Sequence, residues 1–345
     1  MRKKWKIFSY TLLALVIVLL AGVGWYVYSG YQEVKGLQKS EDESRFGQFE
    51  QKPEEKPPEW TGTERVNILI MGGDERGLRE GEVARSDTMM VASIDPTTKG
   101  IHLFSVLRDT YIEIPGHGSD RANVAITLGG PELAMKAIGD LLGLDIQYYV
   151  YADFQGFIKL VDAIGGVDFY VEKDMKYSDA ADGHVYDIDL KEGQQHLDGE
   201  KALQYVRFRH DKLSDFTRTE RQRNFLKAVA DKMQSGWNII KLPQIIGDIS
   251  PYIETNLSPE DMLKLGNLGL KSHQAGSAQV PPMELISDER VGGAAVLGIR
   301  DSDELKEYVQ EVLATDSAVA ATPSPSASSS ASAETGDSSG GSDSE

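Results

Sequence analysis

The chain has no cysteine in its 345 residues. Disulfides, a thiolate nucleophile and a cysteine-type zinc site are thereby excluded. It is also short of bases: 36 Lys and Arg stand against 54 Asp and Glu, a formal net charge of -18. Such a chain repels DNA and anionic lipid on average, so no nucleic-acid partner is expected and any anion site must be local. Familiar catalytic signatures are missing too. "GGDERG" at 72–77 lacks the Lys-Ser/Thr of a P-loop, and neither a G-x-S-x-G elbow nor an H-E-x-x-H pair occurs.

Charge is also absent from the stretch 7–28, "IFSYTLLALVIVLLAGVGWYVY", which follows the basic tail "MRKKWK" at 1–6. About twenty apolar residues span a bilayer, and no A-x-A cleavage pattern follows. The expectation is an uncleaved membrane anchor, with the basic tail in the cytoplasm and Ser29 onward outside. Residues 29–62 are polar, charged and Pro-containing, which predicts a linker. Residues 316–345 are rich in Ser and Ala with almost nothing to bury, which predicts disorder. A catalytic unit over 63–240 and a C-terminal part over 241–315 remain for the folded region.

Within it, "VNILIM" at 66–71 is a continuous apolar run suited to a buried strand. "DTMMVASI" and "IHLFSVL" flank "DPTTKG", the pattern of an antiparallel hairpin. "PELAMKAIGDLLGL" has helical spacing with Pro131 at a first-turn position. "DFQGFIKLVDAIGG" is a second helix, with Asp153 to cap its start and Gly165–Gly166 to close its end. "VDFYV" follows as a strand. The alternation predicts an α/β fold: a central mixed β-sheet flanked by helices in three layers.

Against the acidic background, "LQYVRFRHDKLSDFTRTERQRNF" at 203–225 gathers Arg207, Arg209, Arg218, Arg221 and Arg223. "LQYVRFR" has strand composition, which would put Tyr205, Arg207 and Arg209 on one face. "TRTE" reads as a capping box with Thr217 as N-cap of a helix buried through Phe225, Leu226, Val229 and Met233. Arg218 and Gln222 fall within that buried stripe, Arg221 at its edge, and Arg223 and Lys227 on the solvated side. Each arginine alone is equally explained by pairing with Asp211 or Asp215. Arg207, Arg209, Arg218 and Gln222 together, at a helix N-terminus, point to a pocket for a strongly anionic ligand such as pyrophosphate.

The hairpin supplies the opposing wall. A symmetric turn at "DPTTKG" sets Asp87 across from Arg108, gathering Arg85, Asp87, Arg108 and Asp109 at one sheet edge. Asp74 joins them if the first strand runs parallel to the one ending at Arg108. Such a set either holds a divalent cation, Mg²⁺ or Mn²⁺, against a phosphate or forms a structural ion-pair network.

Taken in order, "NILIMGGDERG", "RSDTMMVASIDP", "FSVLRDTYIEIPG", "DFQGFIKLVDAIGGVDFYV", "LDGEKALQYVRFRHD" and "DFTRTERQRNF" resemble the LytR-CpsA-Psr family of bacterial cell-envelope proteins over roughly 64–235. The resemblance implies one membrane helix, an extracellular domain and a phosphotransferase. The enzyme would move an anionic glycopolymer from a polyprenyl-pyrophosphate carrier to a peptidoglycan hydroxyl. It implies pyrophosphate contacts at Arg85, Arg108, Arg207, Arg209, Arg218 and Gln222, and a cation on Asp74 and Asp87. Family members commonly have Lys-Ile-Asn where this chain has "RAN" at 121–123, so Arg121 is a contact with a planar fork in place of an ammonium. Asp109 or a metal-site aspartate would serve as base. The stripe Phe154, Phe157, Ile158, Val161 and Ile164 is either plain core or the lining of a lipid tunnel. A non-enzymatic lipid receptor or regulator, and a lipid pyrophosphatase, remain as rival readings.

Overall fold

The structure, a computed structural model, describes residues 24–26, 28–40, 42–49, 59–75, 78–79, 81–178, 184, 187–209 and 215–320. The predicted anchor at 7–28 lies almost wholly outside them, as do the tail at 1–6 and most of the Ser/Ala-rich tail. Among the described residues no helix is long and apolar enough to cross a membrane. Helical residues 24–26 and 28–35, together α1, open the described chain. Strands β1 (Val66–Gly73), β2 (Ser86–Ile94) and β3 (Gly100–Val106) follow, then the small hairpin β4 (Tyr111–Ile114) and β5 (Gly118–Arg121). Next come α2 (Ala125–Leu142), β6 (Tyr148–Asp153) and α3 (Phe154–Ala163). Four short strands, β7 (Val167–Val171), β8 (Met175–Tyr177), β9 (Ile188–Leu190) and β10 (Gly193–Leu197), lead to α4 (Gly199–Arg207) and α5 (Asp215–Met233). The remainder is α6 (Gly236–Ile240), α7 (Leu242–Ile249), β11 (Ile253–Thr255), α8 (Pro259–Gly269), β12 (His273–Val280), β13 (Ile286–Val291), β14 (Ala294–Ile299) and α9 (Ser302–Ala320).

The six-stranded central sheet has the order β11-β6-β1-β2-β3-β12. It is mixed, as predicted: β1 pairs parallel with β6 and antiparallel with β2, and β3 pairs antiparallel with β2 and parallel with β12. The period of two divides β1 between its faces. Leu69 and Met71 enter a core with Phe104, Ile138 of α2 and Leu305 of α9, whereas Val66 and Ile68 enter another with Trp60 and Leu265 of α8. Helices therefore cover both faces. A further core joins α3, α4 and α5 to the β7–β10 pair.

The first two predicted helices form with their punctuation intact. Gly130, at φ 72°, breaks α2 so that Pro131 begins its regular part. Asp153 accepts from the Gly156 amide at the start of α3, and Gly165 and Gly166 both have positive φ beyond its end. Three expectations are corrected. "LQYVRFR" is helical as far as Arg207: Asp198 caps α4 by accepting from the Lys201 amide, and Ala202, Leu203, Tyr205 and Val206 bury one helical stripe. Residues 29–62 are more than a linker, because Val34, Phe46 and Trp60 are buried and Phe46 belongs to the main core. Residue 240 is no boundary either, since β11 and β12 complete the two edges of the sheet and α9 packs on it. Beyond Thr315 the helix continues to Ala320.

Candidate active site

The site begins at the open end of the β2–β3 hairpin. The register from Ile94↔Ile101 to Met90↔Ser105 is the symmetric one, and its continuation sets Asp87 against Arg108. Arg108 Nη1 donates to Asp87 Oδ1. On the other side of β2, Gly72 faces Thr88 and Gly73 faces Ser86, so Asp87 is the extra residue of a β-bulge. The sheet order makes β1 parallel to β3, which meets the condition for Asp74 to emerge at the same edge. Tyr151 packs so closely on Gly73 that no side chain fits there, which fixes where the chain turns into Asp74. Asp109 follows Arg108 and accepts from Arg121 Nη1 at 3.2 Å. The β4–β5 hairpin delivers Arg121 to that position.

The second wall comes from α4 and α5. Helix α5 already includes Asp215, so Thr217 is not its N-cap; the predicted capping box lies inside the helix. The shift places Asp215 one turn before Arg218. Its Oδ1 lies 2.6 Å from Arg218 Nη2, 3.2 Å from Arg209 Nη2 and 3.9 Å from Arg108 Nε. Asp215 therefore pairs with these arginines, as the ion-pair alternative in the sequence allowed, and in addition joins the two walls. The aromatic and aliphatic stripe of α5, with Phe225 fully buried, carries Arg218 inward as predicted. Gln222 Nε2 donates to Thr88 Oγ1 at 3.0 Å, tying α5 to the residue beside the bulge.

Electrostatically the pocket mixes charges closely, with Asp87, Asp109 and Asp215 set among Arg108, Arg121, Arg209 and Arg218. Burial of Arg218 lowers its pKa to about 10, and the neighbouring Arg209 and Arg108 add to the shift against the opposing pull of Asp215. Arg209 is lowered for the same reasons, burial first and then the charge of Arg108. Burial acts downward on Arg108 as well, but Asp87 and Asp109 outweigh it and hold that guanidinium above its ordinary value. The Nε atoms of Arg108 and Arg218 and the Oδ2 of Asp215 are buried without a hydrogen-bond partner. The two Nε donors are of the kind that a phosphate oxygen satisfies, whereas the Asp215 oxygen is an acceptor and needs a donor of its own.

Asp87, Arg108, Asp109, Arg121, Arg209, Arg218 and Gln222 are thus brought together. Arg85 stays exposed at the rim, just before β2. Arg207 ends α4 and lies over the Phe154 ring at 5.1 Å; the predicted strand face shared with Arg209 is lost because α4 is a helix. Arg221 is buried, with Nε at 2.5 Å from Glu172 and Nη1 donating to the Phe208 carbonyl, a structural brace. Arg223 is not on a solvated side: burial lowers its pKa and its Nη1 is enclosed near Tyr308 of α9. Ile158, Val161 and Ile164 sit in the third core with Phe154 and Phe157 packed against it.

Among the described residues no group of three or more acidic or histidine residues converges as a metal site. Asp74 and Asp87 still fit Mg²⁺, which commonly takes one or two carboxylates and completes its shell with water and substrate phosphate. Arg45, from the segment read as linker, was missed. It pairs with Glu254 at 2.7 Å, Asp153 at 3.5 Å and Glu75, the residue after Asp74.

Comparison with known proteins gives a consistent picture. The LytR_cpsA_psr family model matches residues 25–311, well beyond the blocks recognisable by eye. Over 223 residues the chain is 33% identical to the regulatory protein MsrR of Staphylococcus aureus, covering 64% of this chain and 65% of MsrR. The match therefore spans slightly under two thirds of that relative. Over 263 residues it is 32% identical to the polyisoprenyl-teichoic acid–peptidoglycan teichoic acid transferase TagU of Bacillus anthracis, covering 73% and 80% of the two chains. Bacillus subtilis TagT bound to LI-WTA superposes with a TM-score of 0.59 at 25% identity, over 76% of this chain and 95% of TagT.

Proposed function

The chain belongs to the LytR-CpsA-Psr family, and from that footing we propose that it is a phosphotransferase moving an anionic glycopolymer from a polyprenyl-pyrophosphate carrier to a peptidoglycan hydroxyl. The observation that carries the reading is the crowding of Arg108, Arg209 and Arg218 around the single carboxylate of Asp215, with guanidinium donors left over. A pyrophosphate supplies acceptors for the two unmet guanidinium donors. The name of TagU and the LI-WTA-bound TagT support the substrate class.

In the reaction, an acceptor hydroxyl attacks the sugar-linked phosphorus. The bond from that phosphorus to the bridging oxygen breaks, and polyprenyl phosphate leaves with the electron pair. Arg209 and Arg218 bind the leaving phosphate, and Arg108 neutralises charge gathering on the attacked phosphoryl group. Asp87 and Asp109 are the carboxylates positioned to take the hydroxyl proton. A divalent cation, Mg²⁺ or Mn²⁺, held by Asp74 and Asp87 would supply further charge neutralisation. Gln222 keeps α5 registered on β2, and Arg121 orients Asp109. The uncharged run at 7–28 anchors the enzyme in the cytoplasmic membrane with the site outside.

The test is a transfer assay on the full chain with a prenyl-pyrophosphate-linked sugar, Mg²⁺ and a peptidoglycan oligosaccharide, read by mass spectrometry. A sugar-phosphate-glycan product that disappears in Arg218→Ala and in Asp87→Ala supports the reading. Tight lipid binding with no product, indifferent to Asp87→Ala, would make the protein a receptor, and sugar phosphate released to water would make it a pyrophosphatase. A fragment beginning at residue 60 is unsuitable, because it discards Arg45 and the buried Phe46.

A further inference from the structure

Helix α1 runs alongside α6 and α7, and the two advance in step. Tyr26 donates its hydroxyl to the Ile240 carbonyl at 2.8 Å. Four residues on, a Cβ placed at Gly30 would lie 3.2 Å from Pro243, and a Cβ at Gly247 would lie 2.9 Å from the Glu33 carboxylate. Tyr31 extends the contact to Glu260 of α8 at 3.1 Å. The direction of this alignment matters. Its first rung, Tyr26 on α6, falls within the uncharged stretch 7–28, and later rungs lead away from it.

At that rung the surface is apolar on both partners. Trp237 of α6 is 70% exposed and Ile240 is 56% exposed, with Ile239 also open. On the other partner Trp25 is 71% exposed and Tyr28, two residues after Tyr26, is exposed as well. One cation, Lys241, closes the helix. Large aromatic side chains left in water beside a basic residue are costly for a soluble surface and usual at the headgroup level of a bilayer.

We propose that α6 is a membrane-docking element: Trp237 and Ile240 insert at the outer bilayer interface beside Trp25 and Tyr28, seating the domain on the lipid. The proposal rests on the reading of 7–28 as the anchor. The occupant is a bilayer and not another protein because the patch is continuous, through the Tyr26 hydrogen bond, with the segment whose composition suits lipid. Aromatic insertion, not charge, must supply the attraction, since a chain of net charge -18 is repelled by anionic lipid. Docking there limits tumbling about α1 and holds the arginine pocket at a set height over the membrane that delivers its substrate.

The absence of cysteine permits a clean test. Single-thiol variants Ile240→Cys, Leu13→Cys and Asp288→Cys of the full chain are spin-labelled and reconstituted in phosphatidylglycerol–phosphatidylethanolamine vesicles. Relaxation by bilayer-soluble oxygen is then compared with relaxation by a water-soluble nickel chelate. The proposal expects oxygen to dominate at 13 and 240, and nickel to dominate at 288, on the exposed face of β13. Nickel dominating at 240 while oxygen dominates at 13 overturns the docking and leaves the anchor standing. A label at 13 in water removes the anchor and the docking together. Dipolar broadening at 240 that unlabelled protein relieves would show a second copy covering the patch, which also overturns the proposal. As a second readout, Trp237→Ser combined with Ile240→Ser lowers turnover of a vesicle-held donor several-fold and leaves turnover of a short-prenyl, water-soluble donor unchanged. Equal losses on both donors would count against docking.

Discussion

Each end of the β2–β3 hairpin carries an Arg–Asp pair, and the two pairs behave differently. At the turn end, Arg65 Nη2 meets Asp95 at 3.0 Å; at the open end, Arg108 meets Asp87. Exposure does not separate them, since the two arginine side chains are 26% and 23% exposed. Saturation does. Asp95 Oδ1 also accepts from the amides of Thr97 and Thr98, and Arg65 reaches Ser93 as well, so the turn-end pair closes on itself. At the open end, three guanidinium groups share Asp215, and buried donors on Arg108 and Arg218 go unmet. Identical residue types thus form a closed pair where local backbone donors and acceptors balance, and leave buried polar atoms over where they do not.

That comparison breaks most visibly at Arg218. Replacing it by methionine should cut transfer by roughly 10²–10³-fold, the usual cost of removing a preorganised donor at developing charge. The thermal midpoint should hold or rise, because a desolvated cation is replaced by an apolar chain of similar length. Arg65→Met should do the reverse in the same calorimetry and transfer assays, lowering the midpoint while leaving transfer intact.

Asp87→Asn sharpens the chemical half of the contrast. It keeps the bulge and the size of the side chain, so folding measured by circular dichroism should be unchanged. Transfer should fall about 10²-fold on the scale of general acid–base and charge effects, and its Mg²⁺ dependence should flatten. Gln222→Ala loosens α5 from Thr88 and leaves the guanidinium groups in place. The expected loss is about tenfold in kcat/KM, equivalent to one hydrogen bond of about 1.4 kcal/mol.

The smallest effect belongs to the turn. Burial alone would raise the Asp95 pKa, but the Thr97 and Thr98 amides and Arg65 outweigh it and hold the carboxyl below its usual value of 3.8. A depressed acid contributes stability that is fully present above the unfolded value and fades as pH falls through the lower folded value. Acid-induced loss of stability below about pH 4 should therefore be shallower in Asp95→Asn, measured by urea midpoints across that window.

The open-end pair was legible in the sequence because hairpin register follows from a short turn and strict alternation. Once Ile94 faces Ile101, Asp87 must approach Arg108. The other wall was only partly legible. Tyr205, Arg207 and Arg209 alternate as in a strand, yet the Asp198 cap and the buried spacing from Ala202 to Val206 make a helix, which separates Arg207 from Arg209. Asp215 was legible as an arginine partner but not as the link between the walls, because that depends on α5 including a residue before the apparent capping box. Arg45 was hidden for a different reason. Its partner Glu254 lies 209 residues away, and no local pattern in a charged, Pro-containing segment announces a contact of that range.

The most direct test of the account is calorimetric titration of the full chain with a short-chain prenyl pyrophosphate and the matching monophosphate, in parallel with Arg218→Met. The unaltered protein should bind the pyrophosphate at least roughly tenfold more tightly than the monophosphate, and the variant should lose that preference. Equal affinity for the two ligands, or a preference that survives Arg218→Met, would mean that the surplus guanidinium donors are not a pyrophosphate site.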